Sequence, residues 1–252
     1  MVISSRHNGQ VKNAALLKDK KHRNKQGLYL IEGEKSVRTA IEQGKQIVTV
    51  FGTEESLAPY MDSLDNLVCV THDIINYISD SVTPQGIVAV AKMDDNRLIA
   101  PLSNCVLLDG LQDPGNLGTI FRTCAAAGIS DVYLINCADP YSPKTVRSSM
   151  TGVFSVNIHQ GTHDEILPLL KSVKMVIADL DGQNLFSFTA PDKFCFTAPD
   201  KFCLCIGNEA HGLSDNVKAV ADYTVTIPMT DKMESLNAGV AASIILYQLQ
   251  FR

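Results

Sequence analysis

The chain has 252 residues, 45% of them apolar, and a formal net charge of −5, enough for one large domain or two modest ones. Its first residues, Met-Val-Ile-Ser-Ser-Arg-His-Asn, carry no apolar signal core, and its greasiest stretch, Leu236 to Leu249, is short and broken by Asn237, Ser243 and Gln248. Seven cysteines without a Cys-x-x-Cys argue against a disulfide framework or a zinc site, so a cytoplasmic protein with no membrane and no metal partner is expected.

The charge is unevenly placed. Residues 1–45 hold ten Lys/Arg against four Asp/Glu, or +6, which leaves −11 for the rest. A basic segment on an acidic body is the asymmetry expected where one module contacts phosphates, although a solvated helix face would look the same. Within it, Val11 to Lys25 reads as one basic helix. A strand is predicted at Leu28–Glu32, then a helix at Glu34–Gln43 that Gly44 ends. Strands follow at Ile47–Phe51, Leu67–Val70 and Gly86–Lys92. The pattern is that of a small α/β module.

Polar and proline-containing sequence at 93–104 separates this module from a second region. There, strands are predicted at Cys105–Leu108 and Val132–Ile135 around a helix from Leu117 to Ala127, stopped by Gly128. Further strands are predicted at Val153–Ile158, Met175–Ala178, Phe202–Ile206 and Tyr223–Ile227, before a last helix at Asn237–Phe251. Apolar strands alternating with helices predict a parallel sheet covered on both faces. Cys203 and Cys205 are expected on opposite faces of their strand. A perfect tandem repeat, Phe-Thr-Ala-Pro-Asp-Lys-Phe-Cys at 188–195 and 196–203, reads as a loop duplication.

Three segments of this second region carry chemistry. In Asp109-Gly-Leu-Gln-Asp-Pro-Gly-Asn116-Leu-Gly118-Thr-Ile-Phe-Arg122, Asn116 is placed to cap a helix, and Gly118 and Arg122 share one of its faces. In Gly207-Asn208-Glu209-Ala210-His211-Gly212, an apolar strand runs into a turn at the carboxyl end of the sheet, where open α/β folds bind ligands. In Ile227-Pro228-Met229 and Ser235-Leu236-Asn237, a proline stops a strand and a polar residue caps a helix of small residues. Each alone fits an ordinary turn, ion pair or packed helix.

In this order and spacing, the three segments resemble the motifs of the SpoU (TrmH-like) class of the SPOUT methyltransferases, over roughly residues 104–251. Upstream, Ile3-Ser-Ser-x-x-Asn8, the basic helix and Leu30-Ile-Glu32-Gly33-Glu34-Lys35 resemble that family's substrate-binding domain, which is similar to certain ribosomal RNA-binding proteins. Ala210, where the family often has glycine, is a mild departure. The resemblance implies residues 1–98 as an RNA-binding domain and 99–252 as a catalytic α/β domain with a parallel sheet and a trefoil knot. It also implies a homodimer, an RNA substrate and S-adenosyl-L-methionine (SAM) as methyl donor. Gly207, Asn208, Ile227, Met229 and Leu236 would meet the cofactor. Asn116, Arg122, Glu209, Ser235 and Asn237 would form the catalytic shell, with His211 an exposed loop residue.

The activity so implied is methyl transfer to a ribose 2′-hydroxyl, with 23S-type large-subunit rRNA expected ahead of tRNA. A guanidinium stays protonated in essentially every protein site, and its fork suits a phosphate, so Arg122 reads as a phosphate clamp and electrostatic stabiliser. The proton acceptor is left open. A Rossmann-type SAM enzyme would need a Gly-x-Gly-x-Gly turn that residues 109–115 lack. A non-catalytic RNA-binding assembly factor is the other rival, and SAM titration discriminates it.

Overall fold

A computed structural model of the chain describes residues 2–190 and 200–251, so most of the tandem repeat lies outside the described residues. Contacts divide the chain into two compact units, residues 1–94 with 139–154, and residues 95–138 with 155–252.

In the first unit the expected basic helix is two helices, α1 (Gly9–Leu16) and α2 (Lys20–Gln26). Asp19 makes the break, its carboxylate accepting from the Lys21 amide at 2.7 Å to cap α2. Arg23 reaches back from α2, and its Nη1 donates to the carbonyls of Leu17 at 2.8 Å and Lys18 at 2.7 Å. Its Nη2 pairs with Asp139 at 2.5 Å, with Arg23 buried and the Asp139 side chain 10% exposed. Removing one partner of such a pair strands a buried charge, at a cost of about 3–5 kcal/mol.

Strand β1 (Leu28–Glu32) is followed by α3 (Glu34–Glu42), after which Gly44 takes φ +71°, a conformation that glycine adopts without strain. Strand β2 (Ile47–Gly52), helix α4 (Glu54–Leu57), strand β3 (Leu67–Cys69), helix α5 (His72–Ile78) and strand β4 (Ile87–Lys92) complete this part of the chain. The sheet order is β1-β4-β2-β3, antiparallel except for the parallel pair β2/β3. Helix α5 was not foreseen, though Ile74, Ile75 and Ile78 have helical spacing and join Val11, Leu30 and Phe51 in the core.

Residues 139–154 fold with this unit because α7 (Pro143–Ser148) packs on β1, and Tyr141 lies against Tyr29 with ring centroids 4.9 Å apart. After α7, Met150 (φ +48°) and Thr151 (φ +79°) are both left-handed. A β-branched residue resists that region, and each such residue stores about 1–3 kcal/mol. This kink and a 3₁₀ turn at Gly152–Phe154 replace the start of the strand expected at 153–158.

The second unit holds β5 (Cys105–Asp109), α6 (Pro114–Ala127), β6 (Asp131–Ile135), β7 (Asn157–Gly161) and α8 (His163–Ile166). It continues with β8 (Lys174–Asn184), β9 (Phe202–Gly207), α9 (Asp215–Lys218), β10 (Tyr223–Thr226) and α10 (Ala238–Gln250). Its sheet runs β10-β8-β9-β5-β6-β7, and every pairing is parallel. Strands β5 and β6 are buried at every position, as a sheet covered on both faces requires.

Strand β8 runs past the expected Ala178. Strand β10 pairs with Val176 and Ile177, then with Gln183 and Asn184, so residues 178–182 leave the ladder and return. Cys203 and Cys205 lie on one face, with Cys105 and Leu107. Residues two apart in a strand share a face, so the expectation of opposite faces is corrected. Burial holds the Cys203 thiol well above its ordinary pKa.

Helix α10 packs on α6. A Cβ at Gly239 would stand 3.2 Å from Thr119, and the hydroxyls of Ser243 and Thr123 meet at 2.8 Å. The small residues of α10 therefore serve a contact within the chain. Among the described residues no helix is long and apolar enough to cross a membrane, and no group of three or more His, Cys, Asp or Glu could hold a metal ion.

Candidate active site

From β5 the chain moves to β6 and β7 on one side, while β9, β8 and β10 lie on the other. Such a reversal opens a crevice at the carboxyl ends of the adjoining strands, here β5 and β9. Strand β9 ends at Gly207, where a Cβ would fall 2.2 Å from the carbonyl carbon of Gly212 and 2.4 Å from the Leu213 amide nitrogen. No side chain fits there. Asn208 and Gly212 exchange both backbone hydrogen bonds at 2.9 Å. The Asn208 amide donates to the Gly110 carbonyl at 2.8 Å, and its Oδ1 accepts from the Ala210 and His211 amides at 2.8 and 3.1 Å. The Asn208 side chain is thus spent on fixing the turn.

Helix α6 starts earlier than expected. Asp113 caps it by accepting from the Asn116 amide at 2.8 Å, with Pro114 in the first turn. Asn116 is therefore not the cap, and its side chain serves elsewhere. Asn237 caps α10, its Oδ1 accepting from the Val240 amide at 3.2 Å. That bond turns Asn237 Nδ2 towards Asn116 Oδ1, to which it donates at 2.8 Å. Asn116 Nδ2 then donates to Glu209 Oε1 at 2.9 Å. The direction of this relay is fixed at both ends, by a backbone donor at one and by a carboxylate, which only accepts, at the other.

The turn borders a cleft of about 600 Å³. Its walls are apolar at Leu180, Ile206, Ile227, Met229 and Leu236, and Gly207, Asn208, Glu209, Ser235 and Asn237 also line it. The volume and the mixture of apolar walls with few polar groups suit a small organic ligand. All the residues marked from the sequence therefore gather here except Arg122, Asn116 being joined through its relay. Arg122 is exposed on α6, outside the cleft lining, with no hydrogen bond or ion pair to another described residue. Gly118 is buried, so the two do not form an open grip within the chain.

Comparison with known proteins decides the family. Residues 103–247 match the SpoU rRNA Methylase family, and residues 8–89 match the MRM3-like substrate binding domain. The chain belongs to the SpoU rRNA methylase family. It is 31% identical to the 23S rRNA (guanosine(2553)-2'-O)-methyltransferase RlmP of Bacillus subtilis, over 98% of each chain. It is 30% identical to the 23S rRNA (uridine(2479)-2'-O)-methyltransferase of Streptomyces viridochromogenes, over 93% of this chain and 86% of that one. The AdoMet-bound rRNA methyltransferase of Sinorhizobium meliloti superposes with a TM-score of 0.88 at 29% identity, covering 100% of this chain and 97% of that one. The α/β fold with its parallel sheet is that of these enzymes, and the chain is an RNA methyltransferase.

Sequence reasoning missed several groups of this SpoU site. Asp179, on the part of β8 that leaves the ladder, lines the cleft and pairs with Lys218 at 2.8 Å. The Lys218 ammonium beside it holds the Asp179 carboxyl below the usual carboxylate range. Below the turn, Asp109 accepts from the Ser214 amide at 2.9 Å and meets His163 Nε2 at 3.1 Å, while Ser214 Oγ meets the same nitrogen at 2.9 Å. Both hydrogen-bond partners share one ring nitrogen, so this cluster braces the turn and is no relay for a nucleophile. Asp109 stands in the first motif segment without a role, and no motif spacing marks Asp179, His163 or Lys218, which only the packing of β8, α8 and α9 brings in.

Proposed function

We propose that this SpoU methylase transfers the methyl group of SAM to a ribose 2′-hydroxyl of large-subunit, 23S-type rRNA in the cytoplasm, working as a homodimer. The observation that carries the reading is the Asn237–Asn116–Glu209 relay beside an apolar cleft lined by residues of β8, β9 and β10 and by the turn that follows β9. The similarity to 23S rRNA 2′-O-methyltransferases along nearly the whole chain supports the substrate. A trefoil knot formed by the cleft loops belongs to the same reading, as does the division into an RNA-binding domain, residues 1–98, and a catalytic domain, residues 99–252.

The cleft fits the cofactor. Its apolar walls at Leu180, Ile227, Met229 and Leu236 suit an adenine ring, and the missing side chain at Gly207 lets the turn at the cleft's edge close against Gly212. Bound there, SAM supplies an electrophilic methyl group on a sulfonium. Ser235 and the relay hold the target ribose, with Glu209 oriented by Asn116 so that one carboxylate oxygen is already engaged. Arg122, exposed and unpaired among the described residues, clamps a phosphate of the RNA and stabilises the oxygen that loses its proton.

The test is methyl incorporation from radiolabelled SAM into a large-subunit rRNA transcript, with the modified nucleotide mapped and SAM affinity measured by calorimetry. One ribose methylated at a single position is expected. Absence of SAM binding, or methylation confined to tRNA, overturns the reading. Arg122→Lys keeps the charge and loses the fork, so RNA affinity and turnover should both fall. Unchanged RNA affinity with a steep new pH dependence of turnover would remove the clamp role.

A further inference from the structure

The first unit contains a second cavity, of about 500 Å³, that no motif marks and that the relay does not use. Ser79 lines it, 5% exposed, and its buried hydroxyl has no hydrogen-bond partner among the described residues although it offers both a donor and an acceptor. The cavity edge carries two solvent-facing apolar side chains, Val82 at 98% and Met150 at 52% exposure. Met150 and its neighbour Thr151 sit there on consecutive left-handed backbones, the kind of strain that gathers at ligand sites.

The charges sort themselves. Glu32 is engaged, accepting from the Asp80 and Ser81 amides at 2.8 and 3.1 Å. Arg147 pairs with Asp80 at 3.2 Å, but both side chains are more than 40% exposed, so an arriving phosphate can displace the carboxylate. Lys35, also exposed on the lining, has no partner among the described residues. An apolar lip, a buried unpartnered hydroxyl and cations at the mouth are what an unstacked base and its phosphate require. A paired A-form helix would hide its bases from such a cavity.

Resting on the reading of the chain as an rRNA methyltransferase, we propose that this cavity receives one unstacked nucleotide of the rRNA substrate. The base lies against Met150 and Val82 and bonds to Ser79, and the phosphate is held by Lys35 and Arg147. Residues 147–151 lie outside the stretch matched by the substrate-binding model, so the proposal gives part of the methylase sequence a role in substrate recognition.

The experiment uses the full-length protein and a large-subunit rRNA transcript, unmodified for binding and substituted with 4-thiouridine for photo-crosslinking. Ser79→Ala, Lys35→Gln and Val82→Asp are compared with the parent for RNA affinity, SAM affinity and melting temperature. Losing one hydrogen bond should weaken RNA binding by about 3- to 10-fold in Ser79→Ala. Its melting temperature should not fall, since no bond within the protein is lost, and SAM affinity should hold. Crosslinks should map to peptides containing residues 79–85 or 147–151. Equal RNA affinity in all three variants, with crosslinks elsewhere, overturns the cavity while parental methylation of the same transcript leaves the function standing. A parent that neither binds nor methylates the transcript overturns the function itself. Ser79-dependent binding of uridine or adenosine monophosphate with unaltered RNA affinity would make this a free-nucleotide site and overturn the proposal.

Discussion

The two units hold their chemistry in different materials. In the first, it sits on side chains that reach into solvent: Lys20, Lys21 and Lys25 are exposed on α2 with no partner among the described residues. In the second, it sits in backbone geometry, where Gly207 passes Gly212 too closely for a methyl group and Gly182 passes Val225 in the same way. A surface of mobile cations binds a polyanion with graded losses as charges are removed. A turn built by close backbone approach fails at a single added carbon. Charge composition points to the first kind of site without separating it from a solvated helix face; the second is visible only as an ordered set of motifs.

The sharpest way to break this contrast is Gly207→Ala. Its Cβ would meet backbone 2.2 to 2.4 Å away, and backbone cannot swing aside as a side chain can. The turn from 207 to 212 must shift, so SAM affinity should fall by roughly 100-fold or more, equivalent to about 3 kcal/mol. Calorimetry reads this directly. Normal SAM binding by the alanine variant would show that the close approach is dispensable.

Next in size is Asn116→Asp, which sets a carboxylate against Glu209 where an amide now donates at 2.9 Å. Turnover should fall by about 10²- to 10³-fold, the usual loss on removing a preorganised donor. SAM affinity should change little, because Asn116 lies outside the cleft lining. If SAM affinity falls as far as turnover, the relay supports the cofactor pocket and not the reacting groups.

These two positions also show what the sequence made legible. The motif order brings Gly207, Glu209 and Asn237 to one place, and the apolar pattern predicts nearly all strands of both sheets. It misplaced the start of α6, because Asp113 and Pro114 form a better helix entry than Asn116. It read one helix over Val11–Lys25 because charge spacing continues across Asp19, while the cap at Asp19 and the buried Arg23 end one helix and begin another. The strand expected at 153–158 starts at Asn157 because two left-handed residues precede it, and nothing in Met150-Thr151 announces positive φ. The polar half of β8 was invisible to hydrophobic pattern, since its pairing with β10 is made by backbone. Arg122 belongs to the site by motif, yet it lies outside the cleft lining.

Replacing Lys20, Lys21 and Lys25 together by glutamine tests the first unit without dismantling it. Deleting residues 1–92 would be a poorer experiment, since Asp139 would lose Arg23 and the remaining part of that unit, residues 139–154, would lose its sheet. RNA affinity should drop by about 10- to 30-fold at physiological salt, and the slope of log affinity against log salt should flatten by about two to three units. SAM affinity should be unchanged. A flat response in RNA binding would move the polyanion contact to other residues.

The smallest expected effect tests the side-chain pair in the backbone-built unit. Lys218 donates to Asp179 at 2.8 Å and lowers its pKa, so the folded protein holds this carboxylate ionised more firmly than the unfolded chain does. For a depressed carboxyl, the stabilisation is present above the unfolded value of about 3.9 and is lost as pH falls through the lower folded value. Both side chains keep contact with solvent, at 28% and 43% exposure, so screening keeps the contribution small. Asp179→Asn should therefore melt about 1–3 °C below the parent at neutral pH. The gap should close as pH drops below the folded value, where the parent carboxylate is protonated as well. Melting curves from neutral to acid pH read both features. A gap that persists at the lowest pH would mean that asparagine disturbs the packing of residues 178–182, and that the charge on Asp179 contributes little.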